Sequence, residues 1–266
     1  MPTPALLQDY PWAQAPIIVN APTSGIATSE LAATVTRASG LGLIGFLDTP
    51  TCSTSSSSAQ KSCYTTIKPR TVYAFDTAGA NADANMDILP VGVGVIVAAS
   101  LKTWTKEIRA TSPLAKIWVQ VGTVAAALGT ARACHHDVLV LQGCRCSGEN
   151  GFEGVRRIPL VATGGIMDGR GVAVAITLGA SGVVMGTRFF LSASDGGRGV
   201  PIEEFVRGCI LRLQTEDDGF RHASSLWAGA GVGLVRSIEE AGDIVETMRE
   251  GARQRLLDTY VGHCRS

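Results

Sequence analysis

Three segments of the 266-residue chain place glycine where an apolar strand is expected to end. The first is 20–25 (NAPTSG), the second holds Gly164 and Gly165, and the third holds Gly186 and Thr187. Glycine at a strand end lets a ligand approach main-chain N–H groups, and the N-terminus of a following helix attracts an anion. A single glycine pair after a strand usually marks only a turn, but three such segments in sequence order favour a phosphate-binding site.

The elements that must position these segments alternate between strand and helix. Short runs rich in Val and Ile are typical of parallel strands covered by helices on both faces. The predicted strands are 17–20, 43–46, 91–97, 117–121, 138–141, 160–163 and 183–185. The predicted helices are 28–38 (begun by Thr28 or Ser29), 103–110, 124–134, 169–178, 202–213 and 238–257. This alternation predicts an α/β domain, either a barrel or an open doubly wound sheet.

Composition excludes several classes of protein. Lys plus Arg and Asp plus Glu both number 23, so the chain has no net charge with which to attract nucleic acid. Neither a secretory signal nor a membrane-spanning apolar stretch is visible, so no membrane partner is expected. The seven cysteines are an odd number without a C-x-x-C pair, which predicts reduced thiols in a cytoplasmic protein and no metal site.

We interpret residues 1–266 as one domain with two irregular parts. Residues 49–88 are rich in Ser, Ala, Asn and Asp and predict a low-complexity insertion loop. Residues 202–266 predict a helical segment packed on the core, and its apolar helix faces would allow a homodimer.

Taken together, the motifs resemble the nitronate monooxygenase family, formerly called 2-nitropropane dioxygenase, and its fungal members in particular. The segments that carry the resemblance are 16–25 (PIIVNAPTSG), 40–45 (GLGLIG), 104–113 (WTKEIRATSP), 119–123 (VQVGT), 137–143 (DVLVLQG), 158–171 (IPLVATGGIMDGRG), 179–189 (GASGVVMGTRF) and 228–235 (AGAGVGLV). The resemblance implies a TIM-type (β/α) barrel that binds FMN, and it selects the barrel over the open sheet.

The resemblance also implies roles for individual residues. Ala21, Pro22 and Thr23 would lie against the isoalloxazine ring, with Thr23 where many relatives have methionine. Gln142 would lie near the polar edge of the ring, and Ser147 belongs to the same cofactor-binding set. The implied phosphate ligands are Gly164, Gly165, Gly186 and Thr187.

Glu149 departs from the family pattern. Relatives carry an A-G-G-H-x-G stretch whose histidine is the catalytic base, and the aligned residues here are 146–151 (CSGENG). A neutral nitroalkane must lose a carbon-bound proton, and a well-placed base typically contributes about 10²- to 10⁴-fold to such a step. An anionic nitronate needs no base. Glu149 is therefore either a catalytic carboxyl, kept neutral by burial, or a solvated loop carboxylate.

The remaining histidines do not replace the missing base. His135 and His136 lie between a helix and the start of a strand, which predicts surface groups on the barrel face opposite the site. His222 precedes the 228–235 segment and could reach the pocket from there.

The number of strands departs from the family as well. Seven strands are recognisable instead of eight, and a closed barrel cannot lose one strand without re-pairing or a gap. Either the barrel is irregular, or the coding sequence was shortened by deletion or by faulty exon assembly.

Three functions follow from these observations. The first is an FMN-dependent oxidoreductase that oxidises a nitronate or similar small carbon acid with O2. The second is a flavin-dependent ene-reductase or a tailoring oxidase of secondary metabolism, in which an acid at residue 149 suits alkene reduction better than a base does. The third is a non-catalytic remnant that binds FMN weakly or not at all.

Overall fold

A parallel sheet forms the centre of the molecule. The computed structural model describes residues 5–23, 27–43, 92–95, 105–106, 109, 116–134, 136–142, 158–192 and 230–264. Within them, six strands lie in the spatial order β1–β6–β5–β4–β3–β2. The strands are β1 (Ile17–Asn20), β2 (Gly92–Val95), β3 (Lys116–Val121), β4 (Val138–Gln142), β5 (Leu160–Thr163) and β6 (Gly182–Met185). The first strand is therefore hydrogen-bonded to the last, as in a sheet that curves towards a barrel.

Most predicted strands are confirmed to within two residues. The predicted strand 43–46 falls largely outside the described residues, although Leu41 forms a parallel bridge with Val19 on the free side of β1. The loop 49–88 and the helix 202–213 lie wholly outside the described residues.

Six helices of the described residues surround the sheet. They are α1 (Ala5–Asp9), α2 (Ser29–Arg37), α3 (Val124–Ala133), α4 (Gly169–Thr177), α5 (Thr187–Phe190) and α6 (Ala241–Cys264). Thr28 caps α2 as predicted, since its side chain accepts a hydrogen bond from the Leu31 N–H at 3.2 Å. In the predicted helix 103–110, Thr105, Lys106 and Arg109 are helical.

The C-terminal helix begins later than the sequence predicts. The predicted start was residue 238, but α6 begins at Ala241, because Glu239 is held in a bridge with Ser192. From there α6 packs on α4 and α2 in a buried cluster that includes Val172, Ile244 and Val245.

Apolar side chains and α1 cover the inner face of the sheet at the amino ends of its strands. Alternate residues of the strands point to this face, where Val19, Trp118 and Val140 share one buried cluster with Tyr10. The Trp118 Nε1–H donates to the Tyr10 hydroxyl at 2.9 Å. Because Lys116 at the start of β3 also pairs with Asp9 at 2.6 Å, α1 and the residues after it cover the amino end. Ala21, Gly164 and Gly186 follow the opposite, carboxyl ends of β1, β5 and β6.

No helix among the described residues is long and apolar enough to cross a membrane.

Candidate functional site

The inner face of the sheet changes from apolar to polar at the carboxyl ends of its strands. Since side chains alternate along a strand, Gln120 lies on the same face as buried Trp118, and Gln142 on the same face as buried Val140. Thr163 follows Val161 in the same way on β5. The result is a polar layer of three side chains above the apolar cluster.

Gln120 and Gln142 are joined across neighbouring strands. The Gln120 Nε2–H donates to Gln142 Oε1 at 2.6 Å. This bond fixes the Gln142 amide with its carbonyl towards Gln120, so its NH2 group is left to donate elsewhere. Gln142 was predicted as a site residue, whereas Gln120 was missed. The sequence feature that could have pointed to Gln120 is a polar residue on the apolar face of the strand that holds the VQVGT motif.

Ala21, Pro22 and Thr23 form the turn that follows β1. The Ala21 N–H donates to the Met185 carbonyl at 2.9 Å, which continues the β1–β6 pairing by one residue. A Cβ atom built on Gly186 would lie 3.5 Å from Ala21 Cβ and 3.9 Å from Thr23 Oγ1. Two predicted ring contacts and one predicted phosphate ligand are therefore neighbours at the carboxyl end.

Asn20 holds the neighbouring segment in place, and sequence reasoning gave it no such role. Its side chain is fully buried and bonds both main-chain groups of Leu43. Asn20 Nδ2–H donates to the Leu43 carbonyl at 2.7 Å, and the Leu43 N–H donates to Oδ1 at 2.8 Å. The amide thus replaces one pair of strand hydrogen bonds where β1 ends. The sequence feature that could have pointed to this role of Asn20 is a polar residue in an otherwise apolar strand.

Gly164 and Gly165 form a turn that only glycine adopts without strain. Their φ angles are +102° and +71°, in the left-handed region. Both residues are exposed, and a Cβ atom on Gly165 would meet no atom of the described residues within 4 Å. Among the described residues, main chain is therefore exposed at the end of β5.

The N-terminus of α4, which follows this turn, is already occupied by a carboxylate. Asp168 caps the helix by accepting the Gly171 N–H at 3.0 Å. Burial alone would raise the pKa of Asp168, but this hydrogen bond and the ion pair with Arg170 outweigh it and hold the pKa below its usual value. An anion at this edge would accordingly bind at the glycine turn, and not at the end of α4.

The other predicted site residues have different outcomes. Gly186 and Thr187 begin α5 directly after β6, and the Thr187 side chain is buried. Ser147 and Glu149 lie outside the described residues, as does His222. The prediction that His136 is a surface group is wrong.

His136 is buried because the chain turns inward between α3 and β4. The residue is 7% exposed, with Nδ1 3.2 Å from the Cys134 carbonyl, while Nε2 is buried and has no hydrogen-bond partner among the described residues. Burial lowers the pKa of His136, and the Cys134 carbonyl and Asp137 oppose this effect only in part.

Comparison with solved structures identifies the fold. FabK from Thermotoga maritima aligns with 97% of this chain and 98% of its own, with a TM-score of 0.61 and 21% identity. Nitroalkane oxidase from Streptomyces ansochromogenes covers 95% of this chain and all of its own, with a TM-score of 0.57 and 19% identity. At such identities the likeness concerns the fold, and it confirms the predicted irregular TIM-type barrel.

Sequence comparisons point to one family. A family model described as nitronate monooxygenase matches residues 81–200. Nitronate monooxygenase npaC of Metarhizium robertsii is 29% identical over 365 aligned residues, which cover 97% of each chain. Because that alignment is longer than the 266 residues here, the relative has residues with no counterpart in this chain. A nitronate monooxygenase of Neurospora crassa is 30% identical over 53% of this chain and 54% of its own.

The motifs at the carboxyl ends of the strands and these matches agree: the chain is similar to nitronate monooxygenases, over residues 81–200 in the family model and over 97% of its length in the Metarhizium robertsii relative.

Proposed function

We propose that this protein is an FMN-dependent oxidoreductase that oxidises a nitronate, or a similar small carbon acid, with O2. The main support for the proposal is that predicted cofactor residues from separate parts of the chain lie close together. Gly186 lies beside Ala21 and Thr23, and β5 places Gly164 and Gly165 at the end of the strand next to β6. The similarity to nitronate monooxygenases supports the oxidoreductase class.

The residues present fit a flavin that carries a phosphate. The left-handed turn at Gly164 and Gly165 exposes main chain at the end of β5, and successive main-chain amides in such turns form concavities for anions. The absence of side chains here suits a bulky phosphate group, because a Cβ atom would hinder its approach to the main chain.

The chain's own side chains account for the rest of the binding. Ala21, Pro22 and Thr23 offer a small surface against which a flat ring can lie. The Gln142 NH2 group, oriented by Gln120, is a donor for an acceptor atom at the polar edge of the ring. A bound flavin would take two electrons from the substrate and pass them to O2.

Glu149 decides which substrates are expected. Glu149 stands where relatives have the imidazole that accepts a carbon-bound proton. A nitronate is already deprotonated, so its oxidation does not depend on that step. We therefore propose the nitronate, and not the neutral nitroalkane, as the better substrate.

The visible spectrum of the purified protein is the first test, with FMN added if the protein is colourless. A flavin band that bleaches on anaerobic mixing with a nitronate, and returns with O2, supports the proposal. Bleaching by NADPH with turnover of an enone, but none by a nitronate, would indicate the ene-reductase. A protein that gains no flavin absorbance leaves only the non-catalytic remnant.

Replacing Glu149 by histidine tests the role of that position. If residue 149 occupies the place of the family's base, Glu149→His should raise activity on a neutral nitroalkane by about 10²-fold or more and change nitronate oxidation far less. The measurement is the initial rate with each substrate at a fixed pH. Equal rates in both proteins would remove Glu149 from the mechanism.

A further inference from the structure

A short segment near the C-terminus returns to the carboxyl end of the sheet and packs on the glycine turn. The 3-10 helix Ala230–Leu234 contains Gly231 and Gly233. A Cβ atom on Gly231 would lie 2.9 Å from the Gly165 carbonyl oxygen and 2.9 Å from Met167 Cγ. Met167 is itself buried, so a side chain at Gly231 would have to displace the turn.

An ion pair with a buried arginine holds the residues that follow this 3-10 helix against α5. Arg188 lies in α5, directly after Gly186 and Thr187, and its side chain is only 4% exposed. Arg188 Nη2 lies 2.7 Å from Glu239 Oε1, and Nη1–H donates to the Ser237 carbonyl at 3.2 Å. Removing one partner of such a pair leaves a buried charge without compensation, so the contact is expected to hold firmly.

The contact at Gly231 has a consequence for the peptide that joins Gly165 to Ile166. The carbonyl of Gly165 and the N–H of Ile166 belong to one planar trans peptide and point in opposite directions. Since Gly231 lies against the carbonyl, the N–H is turned away from the 3-10 helix. If the Gly165–Ile166 peptide were turned over, the side away from the 3-10 helix would carry the carbonyl oxygen and not the N–H donor.

We infer that Gly231, held in place by the Arg188–Glu239 pair, is a positioning residue for phosphate recognition: it sets the orientation of the Gly165–Ile166 peptide towards the phosphate of the cofactor. The inference rests on the proposed function, because it concerns the same cofactor. Gly231 itself needs no contact with the cofactor.

Two neighbouring glycines provide a matched pair of variants. Gly231→Ala introduces a Cβ atom within 2.9 Å of the Gly165 carbonyl, whereas the Cβ atom in Gly233→Ala meets nothing within 4 Å. Neither glycine has a positive φ, so alanine brings no backbone strain at either position. The variants differ in the contact alone.

The readout is the preference of the full-length apoprotein for FMN over riboflavin, measured by fluorescence titration. The two ligands differ only in the phosphate, so the ratio of their dissociation constants isolates phosphate recognition. We expect the native protein to prefer FMN. Gly231→Ala should reduce that preference about tenfold, equivalent to about 1.4 kcal/mol, and Gly233→Ala should leave it unchanged.

The outcomes separate this inference from the proposed function. An unchanged preference in Gly231→Ala, or an equal loss in both variants, overturns the inference while FMN binding stands. A native protein that binds neither ligand overturns both. If circular dichroism shows that Gly231→Ala does not fold, Glu239→Gln is the variant that tests the inference. It weakens the Arg188–Glu239 pair and should lower the preference for FMN over riboflavin about threefold. An unchanged preference in Glu239→Gln would overturn the inference.

Discussion

Replacing Asn20 by aspartate tests whether one buried amide joins β1 to the segment at Leu43. The substitution keeps the shape and the acceptor for the Leu43 N–H, but it replaces the donor by a second oxygen. That oxygen would face the Leu43 carbonyl, to which Nδ2 donates at 2.7 Å in the native protein. Asn20 is fully buried, so water cannot satisfy either group.

The destabilisation should depend strongly on pH. An unsatisfied buried group costs about 1–3 kcal/mol, and ionisation of the introduced carboxyl adds desolvation and repulsion from the carbonyl. Its pKa in the folded state is therefore raised above the unfolded value of about 3.9. The folded variant then binds more protons than the unfolded chain. Its stability relative to the native protein is greatest at low pH, where the protonated carboxyl donates to Leu43, and is lost as pH rises through the folded pKa.

Urea unfolding at about pH 4 and about pH 8 measures this effect. Each unit by which the folded pKa exceeds the unfolded one adds about 1.4 kcal/mol over the full titration. Since the unfolded carboxyl is already about half ionised at pH 4, a shift of about two units gives a difference of roughly 2 kcal/mol between the two pH values. Asn20→Ala is the control, because it loses both bonds without adding a charge and should show no such pH dependence. If Asn20→Asp lost the same free energy of unfolding, relative to the native protein, at both pH values, the reasoning would be refuted.

Three further predictions concern the glycine turn, the cap of α4 and the buried histidine. Gly164→Glu should abolish the flavin absorbance of protein mixed with FMN, since its carboxylate would repel the phosphate; Gly164→Ala carries the same backbone strain at φ +102° without the charge and should retain more FMN. Asp168→Ala should lower the free energy of unfolding by about 1 kcal/mol, and Asp168→Asn by less, because asparagine caps a helix equally well. Since the pKa of Asp168 is held below its usual value, its contribution is present above about pH 4 and should shrink in urea unfolding as pH falls further. Burial lowers the pKa of His136, so the folded state resists its protonation and the native protein should lose stability below about pH 6.5. The free energy of unfolding of His136→Gln should fall less over that pH range than that of the native protein. If the two proteins had the same pH profile, the argument from burial would be contradicted.

The strands were predictable because β1, β3, β4 and β6 are mostly buried. A buried parallel strand reads as a nearly continuous apolar run, as in residues 17–20 and 182–185. The caps at Thr28 and Asp168 add local signals that depend only on nearby residues.

The contacts between distant residues were not predictable in the same way. Gln120 meets Gln142 because of the register between β3 and β4, which no local pattern specifies. The later start of α6 depends on Glu239, which Arg188 and Ser192 hold from far away in the sequence. The burial of His136 likewise depends on how α3 returns to the sheet, so a polar residue in a short connection was taken as exposed.

Binding of the cofactor and abstraction of a proton are separable properties in this chain. The proposed phosphate contacts use glycine and main-chain atoms at the ends of β5 and β6, whereas the resemblance implies that the catalytic base of relatives corresponds to a single side chain, at residue 149. If that correspondence holds, Glu149 alters the chemistry without removing the groups proposed to hold the phosphate. Only a nitroalkane needs the loss of a carbon-bound proton. A protein that binds FMN and oxidises a nitronate, yet leaves the parent nitroalkane almost untouched, is the behaviour that this separation predicts.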